Sequence, residues 1–253
     1  MQFRKFGKMD WDVSVLGFGC MRLPTIDGVA SQIDEEKAAE MVSKAIDGGV
    51  NYLDTAYGYH GGKSEGFVGK ILQNGYRSKV RVATKMPSWL VKERSDLDKF
   101  FDEQLERLQV DHIDFYLLHT LNKKYWDMYK KMDVFSWLEK QRDEGRIGQI
   151  GFSFHDNYEA YTEIINGYDW DFAQLQYNYM EVESQQGFQG VQETIDLGIP
   201  IVVMEPILGG SLAADPPAPV QKVWDEAPVQ RTPADWALQW VWNNPGVVTV
   251  LSG

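Results

Sequence analysis

Eight short apolar runs recur along the chain at about thirty residues per unit, with segments of helical periodicity between them. The runs are Val15 to Gly19, Val50 to Leu53, Val80 to Thr84, Ile113 to Leu118, Ile147 to Phe152, Phe172 to Leu175, Ile199 to Met204 and Val247 to Leu251. Each has the length of a buried strand, and a strand followed by a helix at this spacing is a βα unit. Between the first two runs, Ala38, Met41, Val42, Ala45 and Ile46 fall at i, i+3, i+4, i+7 and i+8, one face of a helix. Asp34 is placed to cap that helix, Glu35 and Glu36 suit its first turn, and Gly48-Gly49 stops it. Leu97, Phe100, Phe101, Leu105 and Leu108 mark a second helical face. Further helices are expected from Ser64, before Gly145, and over Gly187 to Leu197 and Pro233 to Trp242. Eight such units predict an α/β fold, a parallel (β/α)8 barrel, with a doubly wound open sheet as the rival architecture.

Residues 1–14 predict a small hairpin at the bottom of the barrel, turning at Lys8-Met9-Asp10, and residues 15–253 the barrel, the whole forming one domain. Asp215-Pro216-Pro217-Ala218-Pro219 reads as a stiff surface loop. The sequence ends at Ser252-Gly253, directly after the eighth run, so the expectation is a barrel truncated before its last helix, with apolar surface left on strands one and eight for a missing C-terminal segment or a partner to cover. Lys and Arg number 25 against 37 Asp and Glu, a formal charge of −12, which gives no long-range attraction for nucleic acid. No stretch approaches the roughly 20 apolar residues of a membrane span, and the N-terminus lacks a signal-peptide core. The single cysteine, Cys20, permits no internal disulfide, and these features together lead to the expectation of a cytoplasmic protein.

Two nucleotide-binding patterns fail. Gly61-Gly62-Lys63-Ser64 lacks the earlier glycine of a phosphate loop, Tyr57 standing in its place, and Gly17-x-Gly19 has Arg22 where a dinucleotide fingerprint needs a third glycine. His60, His112, His119 and His155 lack metal-site spacing. What stands out is the chemistry at the carboxyl ends of the strands, where a parallel barrel carries its reactive groups. The second run ends at Asp54, the third at Lys85 and the fourth at His119, with Tyr59 five residues past Asp54 on the same loop. Individually these suit a turn residue, a snorkelling lysine, a core histidine and a half-buried aromatic. Together they bring four groups with acid–base chemistry to one rim.

These residues resemble the aldo-keto reductases. Gly49-Val50-Asn51-Tyr52-Leu53-Asp54-Thr55-Ala56-Tyr57-Gly58-Tyr59 followed by Ser64-Glu65-Gly66-Phe67-Val68-Gly69 is similar to that family's first signature, and Lys85, Leu117-Leu118-His119 and Gly151-Phe152-Ser153 follow in the family's order. The likeness is nearest to bacterial and archaeal members that often carry an iron–sulfur extension, which is absent here. The resemblance implies an NADP(H)-dependent oxidoreductase that reduces aldehydes or ketones, small-molecule carbonyl compounds, to alcohols. In it Tyr59 is the general acid, Lys85 lowers the phenol's pKa, Asp54 holds the ammonium and His119 orients the carbonyl oxygen. It also implies that Ser153 and Gln174 hold the nicotinamide carboxamide, with Cys20, Met21, Asp54, Glu205, Pro206 and Leu208 contributing to the cofactor site. Phe154 replaces a frequent Asn and Glu205 a frequent aromatic, and the family's adenosine-phosphate contacts follow strand eight. Alternatives are a nicotinamide-nucleotide-binding regulatory module with little turnover, and a lyase using Lys85 as a Schiff base. Tyr57, Trp89, Tyr125 and Trp126 are candidate walls of an apolar substrate pocket.

Overall fold

The computed structural model describes residues 1–252. It opens with a two-stranded antiparallel hairpin, β1 (Phe3–Lys5) and β2 (Asp12–Ser14), in which Phe3 pairs with Ser14 and Lys5 with Asp12. Eight parallel strands follow: β3 (Leu16–Gly19), β4 (Tyr52–Asp54), β5 (Arg81–Met86), β6 (Ile113–Leu121), β7 (Ile147–Phe154), β8 (Phe172–Gln176), β9 (Ile201–Met204) and β10 (Val247–Ser252). β10 pairs with β9 on one side and with β3 on the other, so the sheet closes and the open-sheet alternative is excluded.

The helices lie outside the barrel where the apolar period foretells them. α1 (Glu35–Asp47) buries Ala38, Val42 and Ile46, and its Asp34 cap accepts from the Lys37 amide at 3.3 Å. Met41, expected on the same face, is exposed, because the buried stripe is narrower than the apolar one. α2 (Ser64–Ile71) and α3 (Ser95–Leu108) come next, α3 burying all five expected residues and Gln104 among them. The helix expected before Gly145 is two, α4 (Lys123–Lys131) and α5 (Val134–Asp143), separated at Asp133, whose φ is +52°. α6 (Tyr158–Ile165), α7 (Gly187–Asp196), α8 (Ala218–Asp225) and α9 (Pro233–Trp242) complete the set. α8 corrects the reading of 215–219 as loop throughout: Pro217 caps it and Pro219 lies in its first turn, where a missing N–H breaks no helical bond.

Two cores result. One fills the space between barrel and helices; the other, smaller, fills the lower barrel with Tyr52, Ala83, Phe115, Leu117, Phe172 and Val202. Phe6 from the hairpin joins the latter, its ring 4.7 Å from that of Phe115 and 5.7 Å from that of Phe172. The hairpin thus seals the bottom of the barrel and leaves its carboxyl-end mouth as the open side. The expected bare apolar surface on the closing strands is small: Val247, Val248, Val250 and Leu251 of β10 are buried, and only Leu16 and Phe18 of β3 are half-buried. α9 packs here, with the Trp242 indole donating to the Val15 carbonyl at 3.0 Å. Among the described residues, no helix is long and apolar enough to cross a membrane.

Candidate active site

Lys85 reaches inward from β5 and is fully buried. Its ammonium donates to Asp54 Oδ1 at 2.7 Å, to the Thr55 carbonyl at 2.8 Å and to the Tyr59 hydroxyl oxygen at 3.3 Å. Three donors thus meet three acceptors. Burial works against the charge, but Asp54 and Tyr59 outweigh it and hold the lysine above its ordinary pKa. A protonated, fully engaged amine has no lone pair to offer a carbonyl carbon, which argues against the Schiff-base alternative. Burial raises the Asp54 carboxyl, with Lys85 opposing.

Tyr59 departs from expectation. Burial raises its phenol, and the neighbouring Lys85 pulls downward without reversing that. The physical reason is that sinking into the mouth removes more hydration from a phenolate than one cation, itself neutralised by Asp54, restores. Since the Tyr59 oxygen accepts from Lys85, its own O–H is left to donate elsewhere.

His119 stands edge-on to Tyr59, ring centroids 6.0 Å apart. Burial first, and then the positive Lys85 and coupling to the His155 imidazole, push its imidazole well below the usual range, so it is neutral at physiological pH. Its backbone sits in an irregularity of β6 between Leu118 and Leu121, where Thr120 has φ +50°. Ser88 Oγ donates to the His119 carbonyl at 2.5 Å and receives the Tyr129 hydroxyl at 2.9 Å.

Ser153 and Gln174 are register partners across β7 and β8. Ser153 Oγ accepts from the Thr120 amide at 2.9 Å, so its proton is available, and Gln174 Oε1 is buried with no hydrogen-bond partner among the described residues. One free donor beside one orphaned acceptor complements a primary carboxamide, the group a nicotinamide presents. Cys20 is buried beneath Asp54, whose carbonyl accepts from its amide at 2.8 Å; burial pushes its thiol up. Glu205, at φ +55°, extends from the end of β9 to an ion pair with Arg22 at 2.6 Å, linking the loops after β3 and β9. Met21 is exposed at the rim, Pro206 buried and Leu208 half-buried in the β9 loop. Among the described residues these three make no hydrogen bond to the quartet.

Of the four aromatic candidates, Trp89 alone joins the quartet: its ring lies 5.2 Å from His119 and packs so closely over Gly58 that a Cβ there would sit 3.1 Å from Trp89 Cζ2. Tyr57 turns to α3, donating to Glu103 at 2.6 Å, and Trp126 is buried against Phe135 and Trp170 between helices. Their helical context corrects their assignment to a substrate wall; Tyr125 lies on α4 beside Lys124. His60, which lacks metal-site spacing, clamps the loop after β3: Nδ1 meets the Ala30 carbonyl at 2.7 Å and Nε2 accepts from the Leu23 amide at 3.1 Å. Only its position next to Tyr59 could have singled it out in the sequence. No group of three His, Cys, Asp or Glu among the described residues could hold a metal ion.

The model of the Aldo/keto reductase family matches residues 15–253. The chain belongs to that family. Members of that family are oxidoreductases that use nicotinamide cofactors on small molecules. Its fold superimposes on that of the aldo-keto reductase AKR11C1 from Bacillus halodurans (holo form) with a TM-score of 0.81 and 27% identity, covering 100% of this chain and 86% of that one. The uncharacterized oxidoreductase YrpG of Bacillus subtilis (strain 168) is 26% identical over 234 residues, 84% of this chain and 68% of YrpG. The L-galactose dehydrogenase of Arabidopsis thaliana is 32% identical over 160 residues, 60% of this chain and 48% of that enzyme. The match to YqkF, an uncharacterized oxidoreductase of Bacillus subtilis (strain 168), is 34% identical and spans 39% of that protein's length.

Proposed function

We propose that this aldo/keto reductase reduces aldehyde or ketone carbonyls to alcohols with NADPH, using Tyr59 as general acid. The observation that carries this reading is the Lys85 ammonium, buried between Asp54 Oδ1 at 2.7 Å and the Tyr59 hydroxyl at 3.3 Å, beside a neutral His119. When bound, the cofactor supplies hydride to the carbonyl carbon. The chain's own groups do the rest. As the C=O bond becomes an alkoxide, the outward O–H of Tyr59 gives it a proton, and Lys85 stabilises the phenolate left behind. Asp54 keeps the ammonium in place. His119 donates a hydrogen bond to the same oxygen, which sets the substrate's orientation and offsets charge as it forms. Ser153 and Gln174 hold the carboxamide by the donor and acceptor they leave free, with Asp54, Cys20, Met21, Glu205, Pro206 and Leu208 framing the cofactor, and Trp89 walls the substrate.

The test is a fluorescence titration of the protein with NADPH and with NADH, followed by assay of a panel of aldehydes and ketones at 340 nm. NADPH binding with stoichiometric alcohol formation is expected. Tight nucleotide binding without turnover of any carbonyl compound would favour a regulatory module, and no binding of either nucleotide would reject both.

A further inference from the structure

Behind the quartet lies a second polar cluster, closed to solvent. Thr84 and Lys85 are consecutive on β5 and so face opposite ways, Lys85 into the barrel and Thr84 toward the helices. There Thr84 Oγ1 donates to Glu65 Oε1 at 2.6 Å. Gln104 Nε2 donates to the same Glu65 oxygen at 2.7 Å and to the Lys85 carbonyl at 3.0 Å, while Gln104 Oε1 accepts from the Tyr116 hydroxyl at 2.7 Å. Glu65, Thr84, Gln104 and Tyr116 are all fully buried. The residue before Glu65 serves the other end of the lysine. Ser64 Oγ donates to the Cys20 carbonyl at 3.0 Å and lies 2.8 Å from Thr55 Oγ1, and Thr55 is the residue whose carbonyl receives the Lys85 ammonium.

Two consecutive residues opening α2 therefore grip Lys85 at both ends, its backbone through Gln104 and its ammonium through Thr55. A buried carboxylate is a costly way to join helix to strand, since apolar side chains of similar volume are often as stabilising. Glu65 meets one cation, Arg107 of α3 at 3.3 Å, and the Tyr116 phenol stands behind Gln104 on β6. What the carboxylate provides that packing does not is direction: it orients the Gln104 amide, which fixes the Lys85 carbonyl and hence the angle at which the long side chain leaves the strand. We propose that Glu65 and Gln104 are positioning residues that set the Lys85 ammonium against Tyr59. This rests on the reading of Tyr59 as the proton donor. The groups facing Tyr59 are Lys85, Asp54, Cys20 and the His119 ring, and of these the cluster acts on Lys85.

Three variants test it. Glu65→Met and Gln104→Met remove the polar contacts at similar volume, and Glu65→Gln keeps an acceptor oxygen for Thr84 and Gln104. The two Met variants are expected to lower kcat about 10- to 100-fold, the scale of a sub-ångström to ångström misplacement, with KM within about threefold, and Glu65→Gln to stay within about threefold in both. A second readout needs no turnover: the tyrosinate absorbance titration of Tyr59, taken as each protein minus its Tyr59→Phe counterpart. It should move to higher pH in the Met variants and stay in place in Glu65→Gln, because a displaced ammonium no longer favours the phenolate. Met variants that lose thermal stability but keep wild-type kcat and an unmoved titration would overturn the proposal, as would a Glu65→Gln variant as impaired as Glu65→Met. A wild-type protein that turns over no carbonyl compound contradicts the function instead, and the titration then decides the positioning role alone. If Met at 65 prevents folding, Gln104→Met carries the same two readouts.

Discussion

His119 is neutral in the folded protein because burial and the cationic Lys85 disfavour its proton, and that preference is linked to stability. In the unfolded chain the imidazole binds a proton below about pH 6.5. The folded pKa is depressed, so between it and 6.5 the unfolded state holds more protons and stability falls as pH falls. His155, also depressed by burial, acts in the same sense, whereas Asp54 and Glu65, raised by burial, act oppositely at lower pH. The loss of unfolding free energy between pH 7.5 and 5.5, measured in urea, is therefore expected to be smaller in His119→Gln than in the wild type. Tyr59 gives a second expectation. Its pKa is raised, so the acid form persists through neutral pH, and kcat for carbonyl reduction should be flat from about pH 6.5 to 9 and decline only above about pH 10. A steady-state pH profile checks this; an alkaline decline centred near pH 8 would show a phenol lowered by Lys85, as the family resemblance implies.

At the level of elements, two contacts fix where the site forms. α2 approaches α3 so closely at Gly69 that a Cβ would lie 2.5 Å from the Arg107 carbonyl oxygen and 2.9 Å from the Leu108 carbonyl carbon. Backbone on the far side cannot yield cheaply, so Gly69→Ala is expected to cost about 1–3 kcal/mol in urea unfolding and to disturb the α2 residues that grip Lys85. Phe6 fills the barrel floor against Tyr52, Phe115 and Phe172, and Phe6→Ala should cost about 3–5 kcal/mol while leaving cofactor affinity within about twofold. What the sequence disclosed about elements follows from how local their causes are. α1 was legible from its cap to its terminal glycines because capping, charge and apolar period lie within fifteen residues of one another. The break at Asp133 was not, since neither glycine nor proline marks it, and α8 was hidden by prolines that mark its start as well as they mark a loop.

Across the whole molecule, the closed sheet converts sequence order into proximity. Asp54, Lys85 and His119 were identifiable because neighbouring strands in a parallel barrel end at one mouth, so residues 31 and 34 positions apart converge without any signal in their immediate surroundings. The Arg22 to Glu205 bridge and the Gln104 contact to Lys85 carried no comparable rule, although a glutamine within the apolar stripe of α3 was a polar residue at a core position and so a visible anomaly. The proton is the point on which the functional account turns. The most direct measurement is NADPH-dependent reduction of an aromatic aldehyde by the wild type and by Tyr59→Phe, with the NADPH dissociation constant of each determined by fluorescence. Turnover lowered by at least about 100-fold, at a dissociation constant within about twofold of wild type, is the predicted result. A phenylalanine variant that reduces the aldehyde at the wild-type rate would contradict the account.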